Sequence, residues 1–439
     1  MDTPIVDFVR QYAARQALRL HMPGHKGKVH LGPEPYDITE IHGADSLYEA
    51  EGIIGKSEEN VSRLFGCKTL YSTEGSSQCI RAMVYLALLY GKTQGQRPVI
   101  AAGRNAHKTF LSAAALLDAE VIWLTGEEGG SYLSCKPTLA EVERILEREA
   151  PAAVYVTSPD YLGQLCRISE LAALCHRYGT LLLVDNAHGA YLRFLPESLH
   201  PMDLGADLSC DSAHKTFPVL TGGAYLHMRD MFAPYAKNAM ALFGSTSPSY
   251  VIMQSLDLAN AYLCTYAEKL AAFLPKLRQM KDRLTANGYI LREEEPLKLT
   301  VDMGAYGYDG RDYAAKLREQ NIVCEFADSD YVVMMLTPEI GEEGLLSLEK
   351  AMLSVEQKPA VSSCPPRFQM QKKAMSIRQA TMSPCETIPV EQSVGRVLAA
   401  ASVSCPPAVP IVVCGEIIDE NAVNCFQYYG IKTVTVVAD

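Results

Sequence analysis

The sequence predicts an α/β protein with a mainly parallel sheet in a large domain, a smaller α/β lobe and an appended C-terminal α+β domain. Three observations carry this. Short apolar runs at 98–102, 119–125, 152–157, 181–185, 206–210 and 223–228 lack the polar alternation of a half-solvated strand. Helical segments at 107–117, 139–148 and 168–178 alternate with them, the rhythm of a parallel sheet covered on both faces. A second group of strand and helix signals at 285–355 is followed by a Pro-containing stretch and a compositionally separate end.

In chain order, residues 5–19 place Ile5, Phe8, Val9 and Tyr12 on one helical face, an amphipathic arm for its own body or a partner subunit. His21-Met22-Pro23-Gly24-His25-Lys26-Gly27 is a loop suited to a surface turn or a site mouth. A helix is expected near 57–65, then a strand at 68–71, then Ser72-Thr73-Glu74-Gly75-Ser76-Ser77-Gln78 and an apolar helix through Tyr90. A strand, a Gly/Ser turn and a helix start form a natural anion cradle, because the first helical N–H groups lack internal acceptors. Plain N-capping by serine reads the same way. A long helix is expected over 249–284. The domains so delimited are an arm and site-lining loop (1–44), a large domain (45–284), a small lobe (285–355), a linker (356–370) and a C-terminal domain (371–439).

Composition narrows the function. Apolar residues make up 48% and charged residues 21%, ordinary for a soluble enzyme. A formal charge of −11 without a basic block argues against nucleic-acid binding. Thirteen dispersed cysteines show neither a disulfide framework nor metal-ligand spacing, so reduced thiols and no metal are expected. Neither a secretory signal nor a run near the ~20 residues needed to span a bilayer is evident, and a cytoplasmic protein with no membrane partner is expected.

The chemistry points to Ser212-Ala213-His214-Lys215, which follows an apolar strand. A desolvated lysine supplies a neutral amine that condenses with a carbonyl. Enzymes dependent on pyridoxal 5'-phosphate use such a lysine together with an acid that keeps the pyridine nitrogen protonated. Asp185, ending the strand Leu181–Asp185, is the candidate acid. Both groups follow strand C-termini, where the sites of such sheets collect.

Further motifs stand in order along the chain: His21–Lys26, Gly75-Ser76-Ser77, Arg104-Asn105-Ala106-His107-Lys108, Val184–Gly189, Ser212–Lys215, Ser245-Thr246-Ser247-Pro248-Ser249-Tyr250, and Pro406–Pro410 with Gly415-Glu416. Together they resemble the bacterial ornithine/lysine/arginine decarboxylases of the aspartate-aminotransferase fold (fold type I). The resemblance spans nearly the whole chain in the right order. It implies decarboxylation of arginine, lysine or ornithine to the amine, in polyamine metabolism. Lys215 would bind the cofactor covalently, Asp185 would hold the ring nitrogen, and His107 would stack on the ring. His188 would line its other side or the substrate.

By the same resemblance Gly75, Ser76, Ser77, Ser212 and His214 would hold the phosphate. Ser245, Thr246 and Ser247 would reach a neighbouring subunit's site, making a homodimer the smallest active unit. His25 and Glu416 are the candidates for substrate binding. The chain departs from the family at Glu74, Cys79 and Ile80 in the phosphate loop, and at Cys405, Ala408 and Cys414 near the end. A carboxylate beside a phosphate is unfavourable unless it points away. The chain also resembles a short form, without the N-terminal receiver-like wing of larger members. Other readings are a different pyridoxal-phosphate reaction on this fold, an aminotransferase or lyase, and a catalytically silent member.

Overall fold

The computed structural model describes residues 1–126, 132–292, 294–361, 368–400, 404–405 and 409–438. The first part of the chain runs α1 (Pro4–Ala14), α2 (Ile53–Phe65), β1 (Lys68–Ser72), α3 (Ser76–Thr93), β2 (Val99–Gly103), α4 (Lys108–Leu117), β3 (Glu120–Leu124), α5 (Leu139–Glu149), β4 (Ala153–Thr157), α6 (Ile168–Arg177) and β5 (Leu181–Asp185). Then come β6 (Leu208–Asp211), the single turn α7 (Ala213–Thr216), β7 (Ala224–Met228), α8 (Ala233–Ala241), α9 (Tyr250–Leu263) and α10 (Tyr266–Ala286). The next stretch holds β8 (Ile290–Arg292), β9 (Lys298–Asp302), α11 (Met303–Tyr306), α12 (Gly310–Glu319), β10 (Phe326–Ala327), β11 (Tyr331–Met335) and α13 (Gly341–Leu353). The end carries α14 (Ile377–Thr381), β12 (Cys385–Pro389), β13 (Ser404–Cys405), β14 (Val409–Pro410), α15 (Glu420–Tyr428) and β15 (Thr433–Val437).

Two compact units result, one of residues 1–90 and 181–270, the other of 91–180 and 271–439. In the first, the strand order is β1-β7-β6-β5. β5 and β6 are parallel, with Asp185 beside Cys210, while β7 runs antiparallel to both β6 and β1. Leu181 to Val184 are buried without alternation, as both faces of the strand are covered. α1, α2 and α9 pack together on this unit. The N-terminal arm therefore docks on its own chain. The backbone N–H groups of Ile5 and Val6 start α1 without helical acceptors, and both donate to Asp257 Oδ2 of α9, at 2.9 and 3.0 Å. The arm's helix ends at Ala14 rather than continuing to 19.

The expected single helix over 249–284 is two, α9 and α10. Cys264 and Thr265, weak helix formers, close α9 through three-residue hydrogen bonds to Ala261 and Tyr262. The apolar periodicity runs through the break unaltered, which is why the sequence reads as continuous.

The second unit contains the parallel strands β4-β2-β3, an antiparallel sheet β10-β11-β9-β8, and the paired β12 and β15. One apolar cluster joins Phe326 and Val333 to Val390, Leu398, Val412, Phe426 and Val436, so the C-terminal segment shares a core with the antiparallel sheet. The expected Pro406-Pro407-Ala408 motif and the proposed linker's Cys364-Pro365-Pro366-Arg367 lie outside the described residues.

Burial pushes the Asp257 carboxyl up to about 6, against opposing hydrogen bonds from Ser57, Val6 and Ile5. An unfolded aspartate titrates near ~4. Between those values the folded chain keeps a proton that the unfolded chain has lost, so stability falls as pH rises through the window. Urea unfolding from pH 4 to 7 should show the wild type losing about 2 kcal/mol relative to Asp257→Asn. Parallel pH profiles for the two proteins would contradict this.

Candidate active site

The first unit gathers most of the candidate residues. Asp185 closes β5 and is buried; its Oδ1 accepts the Ala187 N–H at 3.2 Å and lies 3.7 Å from Cys210 Sγ. Burial, followed by the charge of Asp185, holds the Cys210 thiol far above its ordinary range, so the sulfur donates. Lys215 follows β6 by one short turn. Its Nζ lies 2.9 Å from His188 Nε2, three residues beyond Asp185. β5 and β6 are parallel neighbours, so their ends deliver both groups to the same rim of the sheet.

The anion cradle is built from the turn before α3. Gly75 adopts φ +71°, a left-handed conformation that glycine takes without strain, and its N–H donates to Gly222 O at 2.7 Å. Ser72 Oγ donates to Gln78 Oε1 at 2.6 Å, fixing the turn from inside. Ser76 and Ser77 then open the 18-residue α3, whose first N–H groups favour an anion. Ser212 Oγ donates to Ser76 Oγ at 2.9 Å, bringing the Lys215 turn to the same place. The exposed Glu74 points away, its carboxylate accepting the backbone N–H of Ser245. The cradle thus holds two serine hydroxyls and helix N–H groups with Glu74 directed elsewhere. These residues fit a phosphate-bearing cofactor.

His214 Nδ1 lies 2.9 Å from Gly223 O. Burial lowers its pKa, and Lys215 adds to that against the Gly223 bond, so the ring donates to Gly223 as a neutral group. His25 accepts the Gly27 N–H at Nδ1 and faces Asp37 through Nε2 at 3.2 Å. Ser245, Thr246 and Ser247 form an exposed loop, with Ser247 N donating to Ser245 Oγ at 3.1 Å.

His107 and Glu416 belong to the second unit. His107 caps α4, its Nδ1 accepting from Thr109 N at 3.2 Å. Glu416 is buried, and its Oε2 accepts from Arg104 Nη2 at 3.2 Å and from Val413 N at 2.8 Å. Arg104 also donates to the carbonyls of Pro410 and Ile411 at 2.8 and 3.1 Å, and lies over the Trp123 and Phe368 rings. Burial raises the Glu416 pKa and the Arg104 charge offsets part of that rise. A substrate ammonium would therefore have to compete with Arg104 for this carboxylate. Arg104 was visible in the sequence only as part of a motif; nothing there signalled its partner more than 300 residues later.

The sequence reading also missed Asn186, His200, Asp211 and His227, a fully buried polar group behind the strand ends. Its one signal was the pair of polar residues, Ser209 and Asp211, alternating through an otherwise apolar strand.

Comparison with known proteins gives a consistent result. Residues 3–300 match the family described as Orn/Lys/Arg decarboxylase, major domain, and residues 355–434 match the Orn/Lys/Arg decarboxylase, C-terminal domain. An arginine decarboxylase of Bacillus subtilis (strain 168) is 28% identical, over 96% of this chain and 92% of its own. An arginine decarboxylase of Halalkalibacterium halodurans is 29% identical, over 96% of this chain and 92% of its own. The constitutive lysine decarboxylase of E. coli superposes with a TM-score of 0.78 at 16% identity, covering 100% of this chain and 82% of that one. That likeness is one of fold: a fold type I, mainly parallel α/β protein.

Removing one member of a buried ion pair strands the other charge, at about 3–5 kcal/mol. Chemical denaturation of Glu416→Met and of Arg104→Met should each show a loss of this size. The double variant should lose clearly less than the two together; additive losses would mean the pair is uncoupled.

Proposed function

Because the chain belongs to the Orn/Lys/Arg decarboxylase family, we propose that it removes the α-carboxylate of a basic L-amino acid as carbon dioxide and releases the corresponding amine. Arginine is the first candidate substrate, since the two curated relatives described above carry that name. The observation that supports the reading is the contact of Lys215 with His188, three residues beyond Asp185, at the ends of two parallel strands and beside the Ser76–Ser212 pair.

Pyridoxal 5'-phosphate, which these residues fit, supplies when bound a carbonyl for covalent attachment and a ring that accepts the electron pair left by the departing carboxylate. Ser76, Ser77 and Ser212 would hold its phosphate, with Gly75 shaping the turn and His214 alongside. Asp185 would hold a proton on the ring nitrogen; a buried carboxylate at hydrogen-bond distance favours the protonated form. Lys215 Nζ would be the attachment point and, as a free amine, would donate the proton to the product carbon. His188, 2.9 Å from Nζ, exchanges protons with that amine and so sets its charge between steps. His107 would stack on the ring.

His25 remains a candidate substrate contact, and the exposed Ser245–Ser247 loop is suited to completing a neighbouring subunit's site in a homodimer. We read residues 45–284 as the cofactor domain and 371–439 as the C-terminal decarboxylase domain. Among the described residues no helix is long and apolar enough to cross a membrane; a cytoplasmic role in polyamine metabolism accords with the reading.

Incubating the holoprotein separately with L-arginine, L-lysine and L-ornithine, and assaying amine and carbon dioxide together, tests this directly. One of the three should yield both products in equal amounts. Lys215→Ala should abolish turnover and the borohydride-sensitive visible absorbance. Asp185→Ala should lower kcat by about 100-fold or more while the melting temperature stays within a few degrees. Amine formation without carbon dioxide, or full activity in either variant, would overturn the proposal.

A further inference from the structure

Behind the strand ends lies a second polar group. Asp211, the last residue of β6, is fully buried. Its Oδ1 accepts from Asn186 Nδ2 at 2.7 Å, and Asn186 directly follows Asp185. Its Oδ2 lies 3.1 Å from His200 Nε2 and 3.0 Å from His227 Nε2. The His200 ring accepts the Met202 N–H at Nδ1, which leaves a proton on Nε2 to donate. His227 Nδ1 lies 2.9 Å from Thr69 Oγ1 on the neighbouring strand. Three N–H donors thus converge on one carboxylate. Burial by itself would raise the Asp211 pKa, but His200 and His227 hold it well below the usual range. Phe65 packs against both imidazoles, with ring centroids 5.4 and 4.5 Å away, and keeps the group dry.

The register explains the placement. Asp185 pairs with Cys210, so those two side chains share one face of the sheet, and their successors Asn186 and Asp211 share the opposite face. We propose that Asp211 is a positioning residue for the Asp185–Lys215 pair: by accepting from Asn186 while held by His200 and His227, it ties the end of β5 to the end of β6 and fixes the separation of the two reactive side chains. The inference deepens the proposed function and rests on Lys215 and Asp185 being its working pair. Asp211 touches neither group. It acts through Asn186 on one strand and, along the backbone, through Ser212 on the other. The two imidazole N–H groups aim at one oxygen rather than at a common vacant point, which favours a hydrogen-bonded carboxylate over a metal ion.

The test uses the full-length chain with and without pyridoxal 5'-phosphate. In the cofactor-free protein, hydrogen–deuterium exchange of peptides covering 185–189 and 210–216 should speed up together in Asp211→Asn. In the loaded protein, kcat should fall on the order of 10- to 100-fold with KM changed much less, because a small misplacement of reacting groups has costs of that size. The midpoint of the spectral pH titration should also move. His227→Gln keeps an N–H donor toward Asp211 and should behave nearly as wild type, whereas His227→Leu should follow Asp211→Asn. Unchanged exchange in both peptides with unchanged kcat and titration, or equal behaviour of the Gln and Leu variants, would overturn the proposal even if the melting temperature drops. A tightly held metal ion at one per chain, removed with the same loss, would also overturn it. Should the wild type lack a borohydride-sensitive absorbance, the reading of Lys215 fails, and the exchange result still decides the role of Asp211.

Discussion

The parallel register of β5 on β6 is the constraint on which the rest of the site depends. Each strand ends in a carboxylate, and the period of two sends Asp185 and Asp211 to opposite faces because they stand one residue out of step. One face then carries Asp185 with the thiol of Cys210 beneath it, and the other carries Asn186 hydrogen-bonded to Asp211. Slipping the register by one residue would exchange these faces, placing Asp185 among Phe65 and the imidazoles. The residues Leu181 to Val184, apolar toward both faces, would tolerate that slip, so the hydrogen-bonded pair of Asn186 with Asp211 at the strand ends holds the register. Packing alone would tolerate several polar arrangements at the rim; the ladder selects one.

Buried charge is neutralised in two ways. Asp211 and Asp257 are met largely by neutral donors: amide, imidazole, hydroxyl and backbone N–H groups. Elsewhere charge meets charge, with Lys237 on Glu58 at 2.7 Å in the first unit and, in the second, Arg104 on Glu416 and the buried Lys298 on Glu295 at 3.0 Å. A neutral-donor shell is directional, because every N–H must point at its oxygen, and this suits carboxylates that set the angle of a strand end. An ion pair tolerates more displacement and suits the joining of distant segments. Arg104 is such a joint: it gathers the carbonyls of Pro410 and Ile411 and the Glu416 carboxylate three residues ahead of His107. The C-terminal segment is thereby fastened to the loop that presents this histidine.

The strands and helices of the large domain were legible because burial on both faces leaves uninterrupted Leu, Ile, Val and Ala runs, and because Gly and Ser mark the turns. Asp185 and Lys215 were singled out as a pair of charged residues following apolar runs, and the structure sets them beyond the ends of two neighbouring parallel strands. The break between α9 and α10 was not, since two weak helix formers do not disturb an apolar period. Nor were Asn186, His200, Asp211 and His227. Buried polar groups satisfied by one another leave no pattern in a linear sequence, because their partners are brought together by sheet order. The union of Arg104 with Glu416 was hidden similarly, by separation along the chain.

The departures in the phosphate loop fall into two kinds once the side chains are located. Glu74 is exposed, and its charge is engaged by the Ser245 backbone rather than directed at the cradle. Cys79 and Ile80, where the family more often has Gly and Asn, are buried on the core side of α3. An anion at a helix start is held by the first turn alone, since the helix field falls off within it. Residues 79 and 80 therefore bear on how α3 packs, while Gly75, Ser76 and Ser77 bear on what it can hold. A loop can thus lose part of its family signature without losing the donors that an anion needs, provided the altered residues lie beyond the first turn or turn their charge outward.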